Sequence, residues 1–330
     1  MPRDVEAALH GALLAVLERD LDRAEDLLSC AVRMDSNAVE PYLALGRLYR
    51  MRGEIGRAIR IHQNLLLRAD LDAGESIAAL ADLAADFRQG GFLQRAIASY
   101  EEVLQRAPRH LPALRALVPL LAGVRDYRRA IDVARRLAKL EGEDVAAGEG
   151  ALLLEMAAVA QEEGRSDDAR RAVKRALKKN PRSVRGWVLL GEIEAERGHA
   201  KAALGAWSKV PDIDRRSGDL VYPRLAATYA ALDRARDFET YLSGLLEKQP
   251  TDARARMALA HAMAARGALE EAVQELRRAR DDNPDNLEAR GALGRLLIEQ
   301  QREAEGMREY ADLLDVLAQQ GLLRNREKLT

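Results

Sequence analysis

Along this chain small and large apolar residues return in a fixed order. Ala24, Ala58, Ala96, Ala130, Ala169, Ala203, Phe238, Ala272 and Gly306 are separated by 34, 38, 34, 39, 34, 35, 34 and 34 residues. With these as position 20 of nine units, position 8 reads Ala12, Gly46, Ala84, Val118, Ala157, Gly191, Ala226, Ala260 and Gly294, again mostly small. Position 24 reads Leu28, His62, Tyr100, Ala134, Val173, Trp207, Leu242, Leu276 and Tyr310, mostly large, and position 32 is Pro108, Pro181, Pro250 and Pro284 in four units. No strand-like alternation competes with this spacing. Each unit therefore predicts two helices whose axes approach closely at positions 8 and 20, where only small side chains fit. The large residue at position 24 fills the gap to the next pair, and the proline ends the second helix.

A period near 34 residues with small residues at the closest helix contact resembles the tetratricopeptide repeat, in which each unit is one antiparallel helix pair. The resemblance implies an all-α solenoid, a right-handed superhelix of about nine hairpins over residues 1–323, with units starting near 5, 39, 77, 111, 150, 184, 219, 253 and 287 and a charged tail at 324–330. Trp187 with Leu190 and Gly191 makes the sixth first helix the most typical, its indole bridging the two helices of its hairpin. The two long intervals place insertions at Leu67 to Glu75 and Glu141 to Glu149, read as bends or mobile loops. Pro119 is expected to kink its helix and face the inner groove. Phe238, where a small residue belongs, requires room near Ala226 and Ala227, and Leu313 to Leu323 reads as a final helix.

With 48% hydrophobic but only 4% aromatic residues, the chain packs mainly through Ala and Leu, and a solenoid growing by stacking counts as one domain. The net charge of -1 exerts no overall pull on nucleic acid or anionic lipid, so electrostatic partners must be sought in local patches. Cys30 is the single cysteine; it excludes an intrachain disulfide or cysteine-cluster metal site, fits a reducing, cytoplasmic compartment, and reads as a small packing residue. The apolar run Ala12 to Leu17 is too short to span a bilayer and follows Asp4, Glu6 and His10, so neither an export signal nor a membrane anchor is expected.

Three surfaces stand out. First helices are expected to line the concave groove, which brings Arg47, Arg50, Arg88, Arg115, Arg185, Arg254, His261 and Arg295 there, against fewer acids, Glu6, Glu40, Glu192 and Glu288. Guanidinium groups so arranged suit an acidic or carboxylate-bearing peptide, centred on Arg47, Arg50 and Arg88; the alternative is a solvated face with intrahelical pairs. Second, Arg170, Lys174 and Lys178 form one i,i+4 row and Arg171, Arg175 and Lys179 the next, followed by Arg182 and Arg185. This convex face is open to three readings: a solvated surface, a membrane or protein contact, and, with only Trp187 near for stacking, a less favoured nucleic acid site. Third, Leu9, Leu13 and Val16 form an apolar strip, either a dimer contact or a docking site for a membrane helix, or simply an exposed edge.

Catalytic chemistry is not readable. None of His10, His62, His110, His199 and His261 forms an i,i+4 pair or a zinc ligand spacing, and no phosphate loop or nucleophile elbow occurs. Carboxylate pairs such as Asp167 with Asp168 and Asp281 with Asp282 sit at helix ends. The expectation is a protein without catalytic residues, cofactor or metal.

Two segments carry more specific wording: LGRLYRMRGEIGRAIRIHQNLL from Leu45 to Leu66, and RRAIDVARRLAKL from Arg128 to Leu140. They resemble the second and fourth repeats of the lipopolysaccharide assembly protein B family, with His62 at a packing position. That family's membrane-spanning first helix and rubredoxin-like module with two CxxC pairs have no counterpart here, so no rubredoxin metal is expected. The resemblance implies a non-catalytic adaptor at the cytoplasmic face of a Gram-negative inner membrane, presenting the lipid A deacetylase to the FtsH protease. The alternative is a general scaffold for an envelope or cytoplasmic complex.

Overall fold

The computed structural model describes residues 3–284 and 286–319. The described residues form helices and turns, ordered as helix pairs. They are α1 (Arg3–Leu17) and α2 (Leu21–Met34); α3 (Glu40–Met51) and α4 (Ile55–Leu66); α5 (Ala73–Gln89) and α6 (Leu93–Arg106); α7 (Leu111–Gly123) and α8 (Tyr127–Glu141). Next come α9 (Val145–Glu162) and α10 (Ser166–Lys179), then α11 (Val184–Glu196) with a second helix divided into α12 (Ala200–Trp207) and α13 (Lys209–Ile213). A 3₁₀ turn at Arg215–Leu220 precedes α14 (Tyr222–Ala231) and α15 (Ala235–Lys248), followed by α16 (Ala253–Ala265) and α17 (Leu269–Asp282), and α18 (Leu287–Glu299) and α19 (Glu303–Gln319). The fold is the all-α repeat array that the period predicts. The chain forms two compact units, Met1–Met156 and Ala157–Thr330, and the boundary falls within α9.

The small residues at position 20 lie where the helices of a pair touch: Ala24, Ala58, Ala96, Ala130, Ala169, Ala203 and Ala272 are completely buried. In the last pair a Cβ on Gly306 would come within 2.7 Å of the Gly294 carbonyl oxygen, so the backbones themselves are in contact. Each first helix ends in the same way. Arg19, Gly53, Gly91, Arg125, Gly164, Gly198, Asp233, Gly267 and Gln301, five residues before each position 20, all have positive φ. The next residue's N–H donates five residues back, as in Asp20 to Ala15, Glu54 to Tyr49 and Arg302 to Leu297, closing the six-to-one bond of a Schellman turn. The second helices stop two residues before Pro108, Pro181, Pro250 and Pro284.

The expected insertions need correction. The residues after Leu66 are tied down: Arg68 donates to the Ser36 and Asn37 carbonyls at 3.2 and 2.8 Å, and Asp72 with Glu75 forms a capping box that starts α5. The second insertion becomes the first turns of α9, because Glu149 is buried and accepts from Arg135 Nη2 at 2.6 Å. Paired charges and caps hold both segments, as a turn over residues 67–72 leading into α5 and a shorter one over 142–144 leading into α9. Pro119 lies exposed within a single helix, α7, and does not line the cavities described below. The expected final helix at Leu313 belongs to α19, the second helix of the ninth pair; residues 320–323 and the tail 324–330 lie outside the described residues.

In the second unit, Phe238 is buried and stacks with Tyr229 at 5.8 Å and Tyr241 at 6.4 Å between ring centroids. Phe238 and Ala226 both line a cavity of about 390 Å³. Trp207 lies on Gly191, where a Cβ would be 2.5 Å from Cε2, and its Nε1 donates to the Val188 carbonyl at 3.2 Å. Trp187 is half-buried; its Nε1 donates to the Pro181 carbonyl at 2.8 Å. Cys30 is half-buried.

Candidate partner-binding groove

In the first unit the first helices α1, α3, α5 and α7 supply the walls of two cavities that share Arg47. One, of about 490 Å³, is bordered by Leu9, Leu13 and Val16 of α1 and by Leu48 and Met51 of α3. Leu13 and Met51 remain about 60% exposed, 62% and 60%, so this wall is apolar and open. The other, of about 520 Å³, places Arg47, Arg88 and Arg115 around Tyr100, with His110 at its edge. Burial raises the Tyr100 phenol above its ordinary range, against the lowering effect of Arg88 and Arg50. The apolar strip and three of the groove arginines are thus parts of one surface.

The arginines do not all face this surface as free cations. Arg50 donates to Asp82 at 2.9 Å and Asp86 at 2.6 Å, and Arg47 donates through Nε to Asp82 at 2.8 Å. Both carboxylates are buried. Burial pushes the Asp82 carboxyl up, but Arg47 and Arg50 outweigh it and hold it below the usual range. His62, fully buried on α4, completes the network: its Nδ1 lies 2.5 Å from Asp86, the imidazole N–H donating to the carboxylate. Its Nε2 has no hydrogen-bond partner among the described residues and sits against Gly46. Arg50 is therefore corrected from a partner contact to part of an internal clamp between the second and third repeats. Arg47, with its side chain 54% exposed, belongs to this clamp and also lines both cavities. Arg115 donates through Nε to Glu141 at 2.7 Å, while Arg88 has no ion-pair partner among the described residues.

The segment with family-like wording is occupied with similar clamps. Arg52 pairs with Asp22 and Glu25 of α2, Arg57 pairs with Glu25 and Glu54, and its guanidinium lies 3.7 Å over the Tyr49 ring. Tyr49 donates to Glu25 at 2.8 Å; burial, then this contact, pushes its phenol up to about 12. Arg129, Arg135 and Arg136 in the fourth repeat likewise reach Glu101, Glu149 and the Pro108 carbonyl.

These clamps accompany a likeness that runs over most of the chain. It is 30% identical over 260 residues, 78% of its length, to "Lipopolysaccharide assembly protein B" of Escherichia coli K12, and 27% identical over 239 residues to the protein of that name from Haemophilus influenzae. Tetratricopeptide repeat families match residues 154–210, 225–286 and 263–324. The chain is a tetratricopeptide repeat protein similar to lipopolysaccharide assembly protein B. It spans 66% of the length of the Escherichia coli relative and 59% of the Haemophilus one. A tetratricopeptide repeat protein from Parabacteroides merdae superposes with a TM-score of 0.42 at 16% identity, covering 90% of this chain and all of that one, too loosely to inform the site. As in tetratricopeptide repeat proteins generally, the surfaces available here are those of a protein-binding scaffold.

The remaining predicted residues of this tetratricopeptide array are divided. In the second unit Arg254 pairs with Asp219 beside the cavity near Phe238, and His261 lines that cavity too. Burial, then Arg295, lowers the His261 imidazole, and the two share a smaller cavity of about 140 Å³. Arg185 is exposed on α11 and lines none of these cavities. Sequence reading missed Asp82 and Asp86. Their signal was an i,i+4 acidic pair on α5, one repeat beyond Arg47 and Arg50. Among the described residues no group of His, Cys, Asp and Glu could hold a metal, and no helix is long and apolar enough to cross a membrane.

Proposed function

We propose that this protein is an adaptor that holds a protein partner in the groove formed by α1, α3, α5 and α7. The observation that carries the reading is the joining at Arg47 of an open apolar wall, Leu9, Leu13 and Val16, to a cationic stretch, Arg47, Arg88 and Arg115. An apolar anchor beside carboxylate-pairing guanidiniums suits a peptide segment with a large apolar side chain near acidic residues or a C-terminus. The likeness to lipopolysaccharide assembly protein B supports a finer reading: regulation of lipopolysaccharide synthesis at the cytoplasmic face of the inner membrane, with the lipid A deacetylase and the FtsH protease as partners. On this reading the chain presents a client and does no chemistry itself.

The test is capture of purified deacetylase and of FtsH on the immobilised chain. Arg88→Glu with Leu13→Glu, both at exposed side chains, is expected to abolish capture with helicity unchanged. Unchanged capture sinks the groove reading. Failure of wild type to hold either protein sinks the finer reading, and a general scaffold then takes its place.

A further inference from the structure

The groove leaves unused the most strongly charged segment of the chain. Between Arg170 and Arg185 there are eight arginines and lysines and no aspartate or glutamate, in a protein whose net charge is -1. α10 buries Ala169, Ala172, Val173, Ala176 and Leu177, which turns Arg171, Lys174, Arg175, Lys178 and Lys179 outward. In its first turns Arg170 donates to Glu194 at 2.5 Å, and Arg171 pairs with Asp168. Lys174, Arg175 and Lys178, and Arg182 and Arg185 beyond the helix, have no ion-pair partner among the described residues.

The character of this face selects the partner. Affinity in a specific protein interface comes mainly from aromatic and arginine side chains seated in well-packed, desolvated pockets. Among the described residues no large hydrophobic side chain between Leu140 and Leu220 is exposed, and the cavities above are not lined by these cations. Single-stranded nucleic acid needs stacking platforms. The nearby Trp187 is half-buried, packed against the core of its repeat and held by its bond to the Pro181 carbonyl. What is left is a helix about 21 Å long with flexible cations on adjacent rows, which matches a diffuse, fluid array of negative charge.

We propose that the outward face of α10 is an electrostatic docking surface for a bilayer containing acidic phospholipid. The contact is made by ammonium and guanidinium groups with phosphate headgroups, without insertion, and does not depend on the groove reading.

The test is sedimentation of the full chain with vesicles of phosphatidylcholine alone or of equal parts phosphatidylcholine and phosphatidylglycerol. Binding is expected to the mixed vesicles only and to weaken as salt is raised, since exposed charges are screened. Lys174→Glu, Arg175→Glu and Lys178→Glu together should weaken it by about a hundred-fold or more, given what each cation near an anionic surface contributes. The control reverses Arg60, Arg128 and Arg236 to Glu, exposed cations elsewhere, for the same change in net charge, and should retain binding. Equal loss in the control, equal binding to phosphatidylcholine, or no vesicle binding by wild type overturns the proposal. Single-stranded RNA held by the same three cations, with vesicles ignored, overturns it in favour of nucleic acid.

Discussion

Replacing Gly46 by alanine sets a methyl group against the most constrained side chain in the first unit. A Cβ there would lie 2.5 Å from His62 Cε1 and 3.0 Å from Cδ2. Ordinary contact would require the imidazole to retreat by roughly 1 Å. His62 is fully buried and held by Asp86, itself fully buried and held by Arg50, so retreat stretches the network. Overpacking costs about 1–3 kcal/mol, and loss of a hydrogen bond to a charged group about 1.5–3 kcal/mol; alanine returns about 1 kcal/mol of helix propensity. The expected net loss is about 1.5–5 kcal/mol on those terms. The assay is urea unfolding of the full chain followed by far-ultraviolet circular dichroism. Gly244→Ala, within α15 with nothing within 4 Å of its Cβ, is the matched control and should gain up to about 1 kcal/mol. On a His62→Ala background, Gly46→Ala should lose its penalty. A Gly46→Ala midpoint at or above wild type would refute the argument, because the imidazole would then be free to move.

Other expectations follow from the same contacts. Arg50→Ala, which leaves Asp86 facing only His62, should cost about 3–5 kcal/mol, whereas exposed Arg88→Ala should stay within about 0.5 kcal/mol in the same unfolding assay and alter only partner capture. Because Asp82 is held below its ordinary value, it contributes stability above the usual carboxylate range that is lost as pH falls through the depressed value. Stability should thus decline below about pH 4, and Asp82→Asn should flatten that decline in unfolding midpoints measured across pH. Gln301, at φ 63 in the ninth Schellman turn, occupies a conformation that glycine holds in five sister repeats. Gln301→Gly should stabilise by about 1 kcal/mol, and Gly198→Ala, at φ 76, should destabilise by a similar amount, each read by thermal unfolding.

What the sequence determined by itself was whatever is repeated locally. Ala24, Ala58 and Ala96 are small because two helix axes meet there, and this steric demand recurs in every unit but the seventh, which carries Phe238, so register and helix order were legible. His62 was read as a packing residue, and it is fully buried. The cationic rows of α10 were visible too, since i,i+4 spacing is a property of one helix. Tertiary structure decided which charges are spent. Arg50 and Arg88 look alike in the chain, but Arg50 meets Asp82 and Asp86 from the next repeat, 32 and 36 residues away, while Arg88 meets no carboxylate among the described residues. Likewise Glu149 looked like part of an acidic loop until Arg135 was placed beside it. A side chain's charge is written in its own residue; whether that charge is neutralised depends on a neighbour that only the stacking of one repeat on the next brings within reach.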